Sequence, residues 1–188
     1  GLSTISSPNL PSWDQADSGW AKTNSDKTGT YTGSSTYAQI ATTALSDSTT
    51  YHFFYNQDIT DATGGWFFAD TQNPSDTHPD ELGGNSLGLR TTESGLGTHG
   101  TYATANSTSS GQNQITGFDS LVERVINVEF VVNRTVDKVW CRAAGASTWI
   151  KGGDPTNTSS TATFKLPASD TIYFGHIAYN NPTTVTFS

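Results

Sequence analysis

Residues 126–133 carry the pattern that most restricts what this chain can become. Ile126, Val128, Phe130 and Val132 alternate with Asn127, Glu129, Val131 and Asn133. A period of two sends successive side chains to opposite faces of a strand and leaves no continuous stripe for a helix. Asn133-Arg134-Thr135 breaks the run. Val136, Lys138 and Trp140 then alternate with Asp137, Val139 and Cys141. Two such strands joined by a tight turn predict a β-hairpin. Glu129 falls on the face opposite Phe130 and is expected to be solvated.

The rest of the chain repeats this kind of signal in shorter pieces. Tyr51-His52-Phe53-Phe54-Tyr55 reads as a strand, and Gly64-Gly65 introduces a second buried run, Trp66-Phe67-Phe68-Ala69. Leu87, Leu89 and Arg90 suggest a short strand, as do Trp149 and Ile150. The end supplies two more, over residues 172–179 and 183–187, split by Asn180-Asn181-Pro182. Residues 71–85, rich in Asp, Pro, Asn and Gly, must be a loop. Residues 94–114 are a long Gly/Ser/Thr stretch with room for one weak strand around Tyr102. No window places apolar residues at i, i+3, i+4 and i+7, so helix is not expected.

Composition fits that reading. Ser and Thr together make up about 28% of the 188 residues, above ordinary globular usage. Thr suits strands and Ser suits turns. Nine Phe, seven Tyr and five Trp argue against a disordered chain. The length suits one domain, and we expect an extended N-terminal arm over residues 1–12 and a single β-sandwich over 13–188. The net charge of −8, with nine scattered basic residues, disfavours nucleic acid as a partner. No apolar run approaches the ~18 residues of a membrane span, so no membrane insertion is expected. The lone Cys141 lies in an apolar strand pattern and reads as a buried structural thiol.

Residues 123–155 read ERVINVEFVVNRTVDKVWCRAAGASTWIKGGDP. This order resembles the concanavalin-like jelly roll of SPRY-type domains, especially those on bacteriophage structural proteins. The matching pieces are residues 125–132, Lys138-Val139-Trp140, and Trp149 with Gly152-Gly153-Asp154-Pro155. Residues 172–174 and 184–187 resemble the closing strands, residues 50–55 an upstream strand, and residues 65–69 another. Two departures stand out. Tyr55 and Asn56 follow Phe54 where the family carries Glu, and Ala143-Ala144-Gly145 replaces an Asn-Gly pair. The resemblance implies an all-β, antiparallel sandwich of concanavalin-like jelly-roll type.

Catalytic patterns are weak. Glycosidases of this architecture carry their acids on one strand as Glu-x-Asp-x-x-Glu or a variant, and none of Glu81, Glu93, Glu123 and Glu129 has Asp two positions on. No serine sits in a context tied to a His and an Asp. The chain is therefore expected not to be an enzyme, and no cofactor is expected. His52, His78, His99 and His176 are too scattered for zinc. The oxygen-rich loop gives Asp70, Asp76 and Asp80 as the best candidates for a divalent cation such as Ca²⁺. Sugar binding asks for exposed rings beside polar loops. Trp13, Trp20, Tyr102, Trp149 and Tyr179 qualify, with Tyr102, Trp149 and Tyr179 the ligand-binding candidates; Trp66 and Trp140 read as core.

The expectation is a bacteriophage virion structural protein exposed on the particle surface, a capsid decoration or head-fibre module. Its partners would be capsid or other virion proteins, reached through residues 1–12. The alternative is a tail-fibre or adhesin domain that binds a cell-surface glycan or host receptor. With no heptad or collagen repeat, any homo-oligomer would assemble through sandwich faces, a sheet edge or the arm.

Overall fold

Alternation becomes a ladder in the hairpin that the sequence marks most clearly. In the computed structural model, which describes residues 9–59, 63–74, 76–82, 85–93, 99–105 and 125–188, β9 (Val125–Asn133) pairs antiparallel with β10 (Lys138–Ala143). Val128, Phe130 and Val132 enter the core with Val139 and Cys141. Val131 and Trp140, paired across the ladder, face the other way. The turn begins one residue later and ends two residues later than the sequence pattern suggests, since Asn133 still belongs to β9 and β10 opens at Lys138. Asn133 Oδ1 accepts from the backbone N–H groups of Thr135 (2.9 Å) and Val136 (3.3 Å), and Asp137 takes a left-handed φ of 49°. Val136 and Asp137 therefore belong to the turn and not to the second strand.

Two antiparallel sheets stack face to face. In chain order the remaining strands are β1 (Trp13–Ala16), β2 (Trp20–Thr23), β3 (Thr28–Tyr31), β4 (Ala38–Thr42), β5 (Thr50–Ile59), β6 (Thr63–Ala69), β7 (Ser86–Glu93), β8 (His99–Ala105), β11 (Phe164–Lys165), β12 (Tyr173–Ala178) and β13 (Thr183–Phe187). One sheet runs β1-β4-β12-β6-β7-β8 and the other β11-β10-β9-β5-β13-β3-β2. Only single 3-10 turns, at Pro79–Glu81 and Ile150–Gly152, interrupt the β architecture among the described residues. This is the all-β sandwich that the sequence leads one to expect.

The core is aromatic because alternate residues of long strands deliver rings from both sheets. Phe53 of β5 lies opposite Phe130 of β9, with ring centroids 5.3 Å apart. From the facing sheet, Trp66 meets Phe130 edge-on at 5.1 Å and Phe174 meets it at 5.7 Å. Such pairs add about 0.5–1.5 kcal/mol each beyond the area they bury. Cys141 is buried and free, and burial pushes its thiol well above the ordinary range. One polar bridge crosses this apolar layer: Tyr55 of β5 hydrogen-bonds His176 of β12, both fully buried.

Several expectations need correction. Trp149 and Ile150 form no strand; Trp149 leads into the 3-10 turn. The strand at Leu87 is eight residues long, and the Gly/Ser/Thr stretch does supply β8, paired along its length with β7. Glu129 does point away from the core, yet it is only 4% exposed. Arg142 Nε donates to its Oε1 at 2.6 Å, and His52 Nε2 lies 2.9 Å from Oε2. Solvent is excluded because residues 144–163 fold back over this face and lay Trp149 against Trp140 and Val131. Of the expected arm, residues 9–12 lie on the sandwich: Leu10 packs against the core, and Asn9 Nδ2 donates to Thr50 O at 2.9 Å. Residues 1–8 lie outside the described residues.

The outer face of the six-stranded sheet is covered too. Phe67, Ala69, Ala41 and Ile177 project outward and meet Leu82 from the loop at 70–85. The loop comes close enough that a Cβ on Gly88 would collide with the carbonyl of Pro79. This contact requires glycine on β7.

Candidate functional site

At one end of that covered face, three rings converge. Ala38 of β4 pairs with Ala178 of β12, so Tyr37 and Tyr179 leave the sheet side by side. His78 reaches them from the covering loop, just before the 3-10 turn. Ring centroids are 5.0 Å apart for Tyr37 and His78, 5.1 Å for Tyr37 and Tyr179, and 4.8 Å for His78 and Tyr179. All three side chains are half-buried, so each keeps part of its surface open to solvent.

The backbone goes out of its way to build this shelf. Tyr37 has φ 59° and Asn180, next to Tyr179, has φ 60°. Left-handed backbone is an outlier for a bulky side chain, with a cost of order 1–3 kcal/mol, and it persists where surrounding structure imposes it. Such strain concentrates at functional sites.

Polar groups rim the rings. Arg90 of β7 places Nη1 3.8 Å from Glu81 Oε1, and Thr77 Oγ1 holds the other carboxylate oxygen at 3.0 Å. Burial is the main cause that lowers the pKa of His78, and Arg90 adds to it, so the imidazole is neutral at neutral pH. His78 Nδ1 is shielded from solvent and has no hydrogen-bond partner among the described residues. Burial, followed by the nearby Tyr179 and Glu81, raises the Tyr37 phenol, which stays a neutral donor and acceptor. The shelf therefore offers apolar ring surface, phenolic hydroxyls and a charged pair within one small area. It has no activated nucleophile.

Of the ligand-binding residues expected from sequence, Tyr179 is in the shelf. Tyr102 lies on β8 with Arg90 as its register partner, which places its backbone on the strand beside the rim; its side chain lies outside the described residues. Trp149 is on the opposite side of the molecule, 8% exposed, with the Arg142 guanidinium carbon 4.0 Å from its ring centroid. A cleft of about 280 Å³ runs beside it, lined by Arg142, Thr148, Gly153 and Asp154. Its charges are already engaged. Arg142 is paired with Glu129, and Asp154 accepts from the backbone N–H and hydroxyl of Thr156, which lowers its pKa. Trp13 is core, and Trp20 is partly buried against Tyr31. Sequence did not mark Tyr37, His78 or Arg90 as ligand-binding residues, because each arrives from a different element: Tyr37 through the pairing of β4 with β12, His78 on the covering loop and Arg90 on β7.

The acidic candidates are spread out. Asp70 is exposed at the end of β6, and Asp76 Oδ1 is 3.5 Å from Gln39 Nε2. Asp80 lies in the 3-10 turn, its side chain outside the described residues. Among the described residues, no three His, Cys, Asp or Glu side chains are grouped to hold a metal ion. The segment Gly84-Asn85-Ser86-Leu87-Gly88 has the Gly-x-Ser-x-Gly spacing of a nucleophile elbow. Ser86 instead opens β7, is buried, and donates to Leu82 O at 3.2 Å.

No protein-family model matches the chain, and no curated protein sequence matches it. Solved structures do. The TRIM65 PSpry domain superimposes with a TM-score of 0.61 at 11% identity, over 96% of this chain and 90% of that one. The SPRY domain of human HERC1 gives 0.53 at 9% identity, over 93% and 96%. The exoplasmic/lumenal domain of VIP36 in its Ca²⁺/Man3GlcNAc-bound form gives 0.45 at 12% identity, over 94% and 84%. At these identities the likeness is one of fold, and the fold is that of the SPRY-type, concanavalin-like jelly-roll sandwich.

Proposed function

We propose that this protein is a non-catalytic binding module that holds a carbohydrate on the shelf of Tyr37, His78 and Tyr179. The convergence of three half-open rings beside Arg90 and Glu81 carries this reading. Sugars present C–H faces that stack on aromatic rings and hydroxyls that need donors and acceptors close by. A neutral imidazole, two phenols and a charged pair meet both needs. The non-catalytic reading is supported by the burial of Ser86 and by the engagement of Glu129 with Arg142 and His52.

The setting we infer is the surface of a bacteriophage virion, as a decoration, head-fibre or tail-fibre module. The resemblance over residues 123–188 and the polar, cysteine-poor β composition support it. The shelf favours the glycan- or receptor-binding role over a purely structural one, and capsid docking would fall to residues 1–12. A glycan array probed with the intact protein tests the site. Tyr179→Ala and Tyr37→Ala should each weaken the best ligand at least tenfold while the melting temperature stays near that of the parent. Uniformly negative arrays, or binding indifferent to both changes, would overturn it. Absence of the protein from purified particles would remove the virion setting.

A further inference from the structure

On the opposite outer face, where the seven-stranded sheet ends at β11, lies a groove of about 460 Å³. Three lysines line it: Lys138, Lys151 and Lys165. They are three of the nine basic residues in a chain of net charge −8, and no carboxylate shares the lining. Lys138 and Lys165 are direct register partners across β10 and β11. Like charges directly opposite on paired strands repel and destabilise the ladder. None of the three lysines has an ion-pair partner among the described residues.

The groove is also built to hold its shape. Trp140 Nε1 donates to Thr161 O at 3.1 Å, Thr163 Oγ1 donates to Ile150 O at 3.0 Å, and Ser160 Oγ donates to Asp154 O at 2.6 Å. Lys138 Nζ spends two of its three protons on the carbonyls of Thr158 (2.7 Å) and Ser160 (3.3 Å), leaving one for a ligand. Lys151 sits in left-handed backbone, φ 70°, with Nζ 5.9 Å from the Phe164 ring centroid. A fixed cradle that tolerates unneutralised like charge and local backbone strain is preorganised for an anion.

We propose that this groove binds the acidic group of a sugar, a uronate or a sulfate or phosphate ester, with Lys138, Lys151 and Lys165 as the charged contacts. The hydroxyl-bearing wall of Ser159, Ser160 and Thr161 suits a hydroxylated ring. A long nucleic acid would meet the surrounding negative charge. An acidic peptide adding to the sheet edge would find in β11 a template of only two residues.

The test is titration calorimetry of the intact protein at low ionic strength with six probes: a heparin-derived hexasaccharide, a galacturonate trimer, a neutral dextran hexasaccharide, inorganic sulfate, a short oligonucleotide and a Glu-rich peptide. At least one acidic sugar should bind tenfold or more tighter than dextran and than sulfate, and raised salt should weaken it. K138Q/K165Q and K151Q should each lower that affinity at least fivefold. The double variant loses the bonds from Lys138 to Thr158 and Ser160 but relieves a repulsion, so it should keep the parent's circular-dichroism spectrum and melt cooperatively. Tyr179→Ala should leave this binding unchanged, which separates the groove from the shelf. Four results would overturn the proposal: no preference for acidic sugars, sulfate binding as tightly as any sugar, an oligonucleotide or Glu-rich peptide binding as well, or lysine variants without effect.

Discussion

Glu129 illustrates how a single residue can be placed on the right face and still be misread. Alternation with Phe130 correctly sends its side chain away from the core, but alternation describes only one sheet and says nothing about what later folds over it. The cover is Trp149 and the segment around it, 20 residues further along the chain. Under that cover the carboxylate is nearly dry and satisfied by Arg142 and His52. Removing one partner of a buried pair leaves the other charge uncompensated, typically at 3–5 kcal/mol. Arg142 keeps some solvent access, so Glu129→Ala should cost less, about 2 kcal/mol. Glu129→Gln, which retains an acceptor, should cost less again. Urea unfolding measures both, and an unchanged midpoint for Glu129→Ala would show that the network contributes nothing. Tyr179 shows the same limit from the other side. It was legible as an aromatic beside a turn, whereas its partners Tyr37 and His78 lie some 140 and 100 residues upstream, and strand order joins the first while the covering loop brings the second.

Among the elements, those with rings or β-branched residues on one face were readable, and those without were not. β5, β9, β10, β12 and β13 carry alternating Phe, Tyr, Val and Ile and were located to within a few residues. β8 is made of His, Gly, Thr, Tyr and Ala, and its pairing with β7 is a tertiary fact with little local signal. Trp149 and Ile150 were misread because two large apolar residues are too short a run to fix a period. The turn between β9 and β10 was seen as a break, but its purpose was not. Arg134 is buried there, its side chain 1% exposed. It donates to Leu45 O (2.7 Å), Asp47 (2.8 Å), Asp137 (3.0 Å) and Ser169 O (3.2 Å). One guanidinium thus ties the hairpin turn to the segment before β5 and the segment before β12. A lysine has three donors on a single atom and cannot span these directions. Arg134→Lys should therefore destabilise the fold by about 2 kcal/mol or more through unsatisfied buried carbonyls. Hydrogen exchange should show the loss as faster opening of β9 and β10, and wild-type protection there would refute the anchoring role.

At the scale of the whole molecule, the sandwich presents different chemistry on its two outer faces, an aromatic shelf on one and a lysine groove on the other, while its two sheets meet across an almost wholly apolar layer. A polar contact within that layer, the bond between Tyr55 and His176, makes stability depend on pH. Burial lowers the pKa of His176 from 6.5 to about 3 and raises that of Tyr55 well above 10.0. The unfolded chain takes up a proton on His176 below its ordinary pKa, and the folded protein does not until near 3. The stability linked to this group is therefore fully present above pH 6.5 and falls as pH drops from there towards 3. Tyr55 has the opposite sign: its contribution is intact below pH 10 and is lost above it, where only the unfolded chain ionises. Between these limits the fold should be at its most stable. At about pH 5, above the range where most carboxylates titrate, His176 alone should cost about 2 kcal/mol relative to pH 8. His78, shifted in the same direction and only half-buried, adds a smaller loss of the same sign. His176→Asn cannot charge, so its urea midpoint should be lower than the parent's at pH 8 but fall from there to pH 5 only by the smaller share of His78, while the parent's declines more steeply. If parent and variant lose stability in parallel over that interval, the acid sensitivity lies elsewhere and the bridge between the sheets is only a packing feature.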